Sequence, residues 1–183
     1  MPRTAPRRTR LGLVVAGLLL VSACGGEEPE ALEPMEPEVP ADLCAMVPEA
    51  AKAGLVSNSN TVETGNPTAA CSLRSSDASA GQVTALVTWV QLNDEDSADT
   101  VLTSQCRSID RTEYKDQAGF QAQGAEEACA ASNQAGGADA ATMAGLADRE
   151  VVTVRYTSMP PGKAPSIQVA QQMLEGVLAS MAG

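Results

Sequence analysis

Five cysteines, at positions 24, 44, 71, 106 and 129, constrain this 183-residue chain more than any other feature. An odd number leaves one thiol outside any set of internal bridges. Cys24 directly follows the apolar run Leu11–Ala23 and is the one set apart, which leaves Cys44, Cys71, Cys106 and Cys129 as an even set. Four cysteines allow three connectivities. Sequential pairing, Cys44 with Cys71 and Cys106 with Cys129, is preferred because each bridge then ties neighbouring elements. Each would stabilise the fold by about 2–4 kcal/mol through the unfolded chain. That help is needed. Between residues 41 and 183 only 32 side chains are Val, Leu, Ile, Met, Phe, Tyr or Trp, and the abundant alanines bury little area each.

The N-terminus says where such bridges could form. Arg3, Arg7, Arg8 and Arg10 make a basic lead-in to Leu11–Ala23. These thirteen residues fall short of the roughly 20 that a spanning helix needs, so a removable export signal is expected over 1–23. The tetrapeptide Val21-Ser22-Ala23-Cys24 resembles the bacterial lipobox. That resemblance implies that the thiol of Cys24 carries diacylglycerol and becomes the mature N-terminus. Two or more acyl chains on one residue anchor stably where a single chain does not. The expected location is therefore the outer face of the cytoplasmic membrane, with the membrane itself as a partner through the Cys24 lipid. Residues 24–40 read as a tether, since Gly25–Pro40 holds six Glu and four Pro and no Lys or Arg. Such a composition cannot bury enough to fold. Extended at about 3.1 Å per residue, it would hold the domain of residues 41–183 up to about 50 Å from the membrane.

Charge and composition exclude several functions. The net charge is −11, and with four of the twelve bases in the first ten residues the remainder is more acidic still. Nucleic acid is not an expected partner, because a polyanion requires a basic face. Trp89, Tyr114, Phe120 and Tyr156 are the only aromatics, too few for stacking platforms. The absence of histidine removes Ser-His-Asp and Cys-His catalysis and the commonest nitrogen ligand for zinc. No Ser stands three residues before Lys52, Lys115 or Lys163, so the S-x-x-K nucleophile pattern fails. The expectation is a protein that is not an enzyme, with no catalytic residues, no metal site and no cofactor. The acids Asp94, Glu95, Asp96 and Asp99 do not fit a calcium loop, since Ala98, Asp99 and Gln105 stand where that register requires a ligand, a glycine and an acid. They read instead as a helix start. Trp89 reads as packing. Met143, Met159, Met173 and Met181 read as core filling, with an apolar groove as the other reading. Gly136-Gly137 lacks the context of a phosphate loop.

Patterning gives the fold class. Asp42–Ala53 reads as helix stopped by Gly54. Ala70–Ser75 and Gln82–Leu92 read as a hairpin whose second strand sets Val83, Ala85, Val87 and Trp89 on one face. A helix follows, with Ala98, Val101, Leu102, Gln105 and Cys106 on one side. Arg107–Gln123 has no clear pattern. Ala125–Ser132 reads as a strand and Asn133–Ala140 as a loop. Ala141–Leu146 and Glu150–Ser158 read as a hairpin with Val152, Val154 and Tyr156 inward. Ser166–Met181 is the clearest helix, with Ile167, Ala170, Leu174, Val177, Leu178 and Met181 at three- and four-residue steps. The expectation is an α+β, two-layer domain with helices on one face of a mostly antiparallel sheet and two disulfides.

The lipobox, the Glu/Pro tether, D-L-C-A-M-V-P-E-A at Asp42–Ala50, A-C-S-L at Ala70–Leu73 and G-A-E-E-A at Gly124–Ala128 before a V-x-V-x-Y strand resemble the small actinobacterial lipoproteins grouped as a domain of unknown function. Leu73 stands where that family commonly has a Trp two residues after its second cysteine. The resemblance implies an extracytoplasmic α/β domain with paired cysteines, similar to the PsbP-like two-layer folds, and lends no functional residue. The expected role is a lipid-anchored, non-catalytic binding or scaffolding lipoprotein that meets an envelope protein or an apolar ligand. The alternative is a carrier of lipid or another apolar small molecule. No residue is singled out for ligand binding.

Overall fold

The computed structural model describes residues 38–77, 79, 81–110 and 115–182. The signal segment, Cys24 and most of the tether lie outside these described residues. Glu36–Gly183 falls in one compact unit. Its elements run α1 (Leu43–Met46), β1 (Leu55–Glu63), β2 (Thr68–Ser75), β3 (Gln82–Gln91), α2 (Glu95–Asp110), β4 (Lys115–Asp116), β5 (Glu127–Ala135), β6 (Ala138–Ala147), β7 (Glu150–Met159) and α3 (Ser166–Met181). Six long strands and the two-residue β4 form one sheet in the order β1-β2-β3-β7-β6-β5-β4. Every neighbouring pair is antiparallel. The α+β class, the antiparallel sheet and the two disulfides are as the sequence led us to expect.

The period-two pattern of β3 and β7 decides which side chains go where. Ala85, Val87 and Trp89 lie opposite Tyr156, Val154 and Val152 and are buried, as are both valines. With Cys71 and Leu73 from β2 and Met143 from β6 they make the larger core, completed by Leu43 and Val47 near α1 and by Met173, Leu174, Val177 and Leu178 from α3. The intervening residues face the other way. There Ala144, Leu146 and Val151 pack with Ala98, Leu102 and Ile109 of α2 in a second, smaller cluster.

The helices therefore divide between the faces, with α1 and α3 forming the expected two-layer body and α2 on the opposite side. Topology gives the reason. α2 carries the chain from the end of β3 to β4 at the far edge, so it crosses over the strands between them. Helical periodicity shows which side of α2 is apolar and not which face of a sheet it will meet.

Four local differences from the sequence reading have physical causes. The first helix is one turn long, not twelve residues. Asp42 caps it, accepting from the Ala45 N–H at 3.1 Å, and Val47 is extended because the following Pro48 ring disfavours the helical region. Strand β1 was not expected at all. It is an edge strand, exposed at all but its first position, so no core imposes alternation on its sequence. The Asn133–Ala140 loop is instead the tip of the β5–β6 hairpin. Gly136 and Gly137 have φ of 62° and 78°, the paired positive values that a two-residue hairpin turn needs and that glycine adopts without strain. Finally, Val39, read as part of the tether, packs against the larger core.

The ends of α3 and its crossing with α1 are tightly specified. Its N-cap, Pro165, offers no side-chain acceptor. Asp139 of β6 supplies one from across the sheet, accepting from the Ser166 N–H at 2.7 Å, while the Ser166 hydroxyl donates to the Asp139 carbonyl at 2.7 Å. Gly176 faces the Pro48 ring so closely that an added Cβ would overlap it.

Candidate functional site

Because α2 spans only the β7–β5 side, the same face of β1, β2 and β3 is left without a helix. Along the boundary runs a groove of about 320 Å³ floored by Thr61, Thr68, Ala70, Thr88, Val90 and Thr153, with Val101 and Gln105 of α2 as its wall. It continues past Thr88, Gln105 and Thr153 into a second hollow of about 270 Å³ bounded by Leu86 and Arg155.

Register explains the lining. Thr61, Ala70, Thr88 and Thr153 form one row across four strands. The row at one end is Glu63, Thr68, Val90 and Val151, and the row at the other is Ser59, Ser72, Leu86 and Arg155. The end rows are four residues apart, about 14 Å along the strands. Threonine suits this surface, since a β-branched side chain fits the pleat and offers a methyl and a hydroxyl together.

The four paired cysteines frame the domain. Cys44 joins Cys71, pinning α1 to β2 on the covered face. Cys106 joins Cys129, pinning α2 to β5. The second bridge holds the groove's wall in place. Sequence reading put Ala98, Val101, Leu102, Gln105 and Cys106 on one side of α2. Only Ala98 and Leu102 of these are buried, and Val101 and Gln105 face the groove.

Charge in the groove is sparse. Among the described residues the ion pairs are Lys52 with Glu49 and Arg149 with Asp148. Arg155 is exposed and has no ion pair among them. The groove's other charged lining residue is Glu63 at the opposite end.

A second polar site lies where β3 meets β7. Glu150 is directly opposite Gln91 in the ladder. Burial raises its carboxyl pKa, the Asp148 carboxylate raises it further, and the Trp89 indole and the Arg149 guanidinium pull it down by less. Trp89 Nε1 and Gln91 Oε1 are buried without a hydrogen bond of normal geometry. A protonated Glu150 has a hydroxyl to donate, which Gln91 Oε1 lacks. Nothing in the sequence marks this cluster, because its members come from two strands joined only by register.

The other residues picked out from sequence are placed as follows. Asp94 caps α2, accepting from the Ser97 N–H at 2.8 Å and from its hydroxyl at 2.9 Å. Those bonds, the backbone one first, lower its pKa. Trp89 is fully buried. The methionines do not line one groove, since Met143 and Met173 are in the core and Met159 is exposed. Among the described residues no group of His, Cys, Asp or Glu is arranged to hold a metal ion, and no helix is long and apolar enough to cross a membrane.

Two disulfides of this kind persist in oxidising compartments and not in a reducing cytosol, so this is a disulfide-bonded extracytoplasmic domain. No family model and no curated protein matches the sequence. Among solved structures it is similar to the extracellular domain of PknH from Mycobacterium tuberculosis. That likeness has 12% identity and a TM-score of 0.48, covering 77% of this chain and 98% of that one.

Proposed function

We propose that the protein is a lipid-anchored binding module of the bacterial envelope, held to the outer face of the cytoplasmic membrane through Cys24, with the α2 groove as its ligand face. The observation that carries the ligand face is the half-bare sheet beside α2. A flat row rich in threonine, a helix wall fixed by a disulfide and an exposed arginine with no ion pair among the described residues form a surface suited to noncovalent recognition. The motif resemblance to small actinobacterial lipoproteins, the lipobox and the Glu/Pro segment support the anchor.

Two measurements test the two halves. Mass spectrometry of the membrane-extracted protein should find an N-terminal Cys24 carrying acyl chains, and Cys24→Ala should release the protein from the membrane. An intact Met1 on the mature protein would sink the anchor. A photo-crosslinking residue at Thr88 should capture a ligand or partner that one at Gln168, on the exposed side of α3, does not. Equal capture from both would remove the groove from the assignment. The carrier of an apolar molecule is the second reading, favoured by Val90, Val101 and Ala70 in the groove.

A further inference from the structure

We infer that the groove takes a single-chain amphiphile bearing one carboxylate, with its head at Arg155 and its tail laid alongside α2 past Val101 and Val90. This rests on the groove being the ligand face and names the class of ligand.

The two hollows differ in chemistry. The Arg155 end offers a guanidinium, the Gln105 amide and the hydroxyls of Thr88 and Thr153. The other end offers Val90, Val101 and Ala70 alongside threonine methyls. A ligand that fills both must therefore change from polar to apolar along its length. The sign of its head follows from the protein's charge. On a chain of net charge −11, Arg155 is a cation with no acid paired to it among the described residues. A planar guanidinium binds a carboxylate through two parallel hydrogen bonds. The opposite orientation is disfavoured, because Glu63 at the far end would repel the anion.

One cation also argues for one negative charge. A phosphate monoester carries about −1.5 to −2 at neutral pH. Among the described residues the next arginine on this face of the sheet is Arg74, opposite Thr84 in the ladder. It lies two strands and two residues from Arg155, roughly 12 Å between Cα atoms. The carboxylate is the simpler match. The flat, open lining also distinguishes this site from an enclosed lipid cavity, so exchange should be fast.

The test uses the oxidised chain from Gly25 to Gly183, which keeps the whole compact unit Glu36–Gly183, with cooperative unfolding checked first. Decanoate, decanol, decyltrimethylammonium and decyl phosphate are titrated by calorimetry. The expected result is that decanoate binds at least tenfold more tightly than decanol and the ammonium does not bind. Arg155→Gln should bring decanoate to decanol's affinity, while Arg107→Gln, on another side of α2, changes nothing. Equal affinities for decanoate and decanol, or an Arg155→Gln variant that keeps the difference, would overturn the head assignment. Tighter binding of decyl phosphate would overturn the carboxylate. If none of the four binds, the amphiphile is wrong, and capture from position 88 still decides whether the groove is a ligand face.

Discussion

On one face of the sheet α1 and α3 cover the strands from β2 to β6 and enclose Trp89, Met143, Met173 and Leu174. On the other, α2 alone meets β5 to β7 and leaves β1 to β3 open. Both faces carry a disulfide. The covered face is a conventional core in which stability and shape coincide. The α2 face trades burial for an accessible surface, and its small residues, Ala98, Ala131 and Ala144, let the helix approach closely with little apolar area. The difference teaches that one sheet can keep a closed side and an open side at once, provided a crossover helix is fixed in place independently of its packing.

The largest expected effects test whether the core is as one-sided as it looks. Trp89→Ala should cost about 3–5 kcal/mol, read from urea unfolding. Leu102→Ala on the α2 face should fall near the low end of the about 2–5 kcal/mol range for Leu→Ala. An equal cost would break the comparison. The disulfides sharpen it. Their loops span 27 and 23 residues, so chain entropy alone gives each about 3.5 kcal/mol and separates them by only about 0.1 kcal/mol. Paired Cys→Ala variants should lose similar stability, but only loss of Cys106–Cys129 should raise hydrogen exchange in α2 and abolish groove binding.

Smaller effects follow on the covered face. Asp139→Ala removes the acceptor for the Ser166 N–H and should cost about 1.5–3 kcal/mol, with fraying of the first turn of α3 visible in exchange. Gly176→Ala changes sign with its surroundings. In an exposed helix it would stabilise by about 1 kcal/mol, whereas here the Pro48 ring should make it cost about 1–3 kcal/mol. The smallest effect is Glu150→Gln. Burial holds the Glu150 carboxyl pKa in the folded state above its ordinary value of 4.5, so the folded state holds the proton longer than the unfolded one. Its contribution to stability is present below that value and is lost as pH rises through the folded pKa. Replacement by Gln should flatten the pH profile just above pH 4.5 and make the protein slightly more stable at neutral pH. A variant whose pH profile matches wild type would show that Glu150 is solvated as if unfolded.

How much of this was legible depends on whether the cause is local. α3 could be read because its buried positions repeat every three or four residues, and β3 and β7 because a covered face enforces alternation. β1 could not, since past the partly buried Leu55 every position is exposed, nor could the brevity of α1 be read without giving Pro48 its full effect on Val47. The groove is the extreme case. Thr61, Thr88 and Thr153 become neighbours only through the register of three strand pairs and the route of α2, and none of these leaves a signal near the residues themselves. The cysteines were legible for the opposite reason, as a small even set whose members had few possible partners.

Strand β1 has a consequence for life in a crowded plane. An open edge invites another chain to extend the sheet, and the proposed Cys24 anchor would bring copies of this protein together at the same height with the same edge exposed. β1 answers with a polar centre of Ser, Asn and Thr between the exposed Val56 and Val62 and with a register break between Ser57 and Ser59, which interrupts the straight ladder a neighbour would need. The far border ends in a strand of two residues. Neighbouring molecules could thus share a membrane densely without fusing into a continuous ribbon.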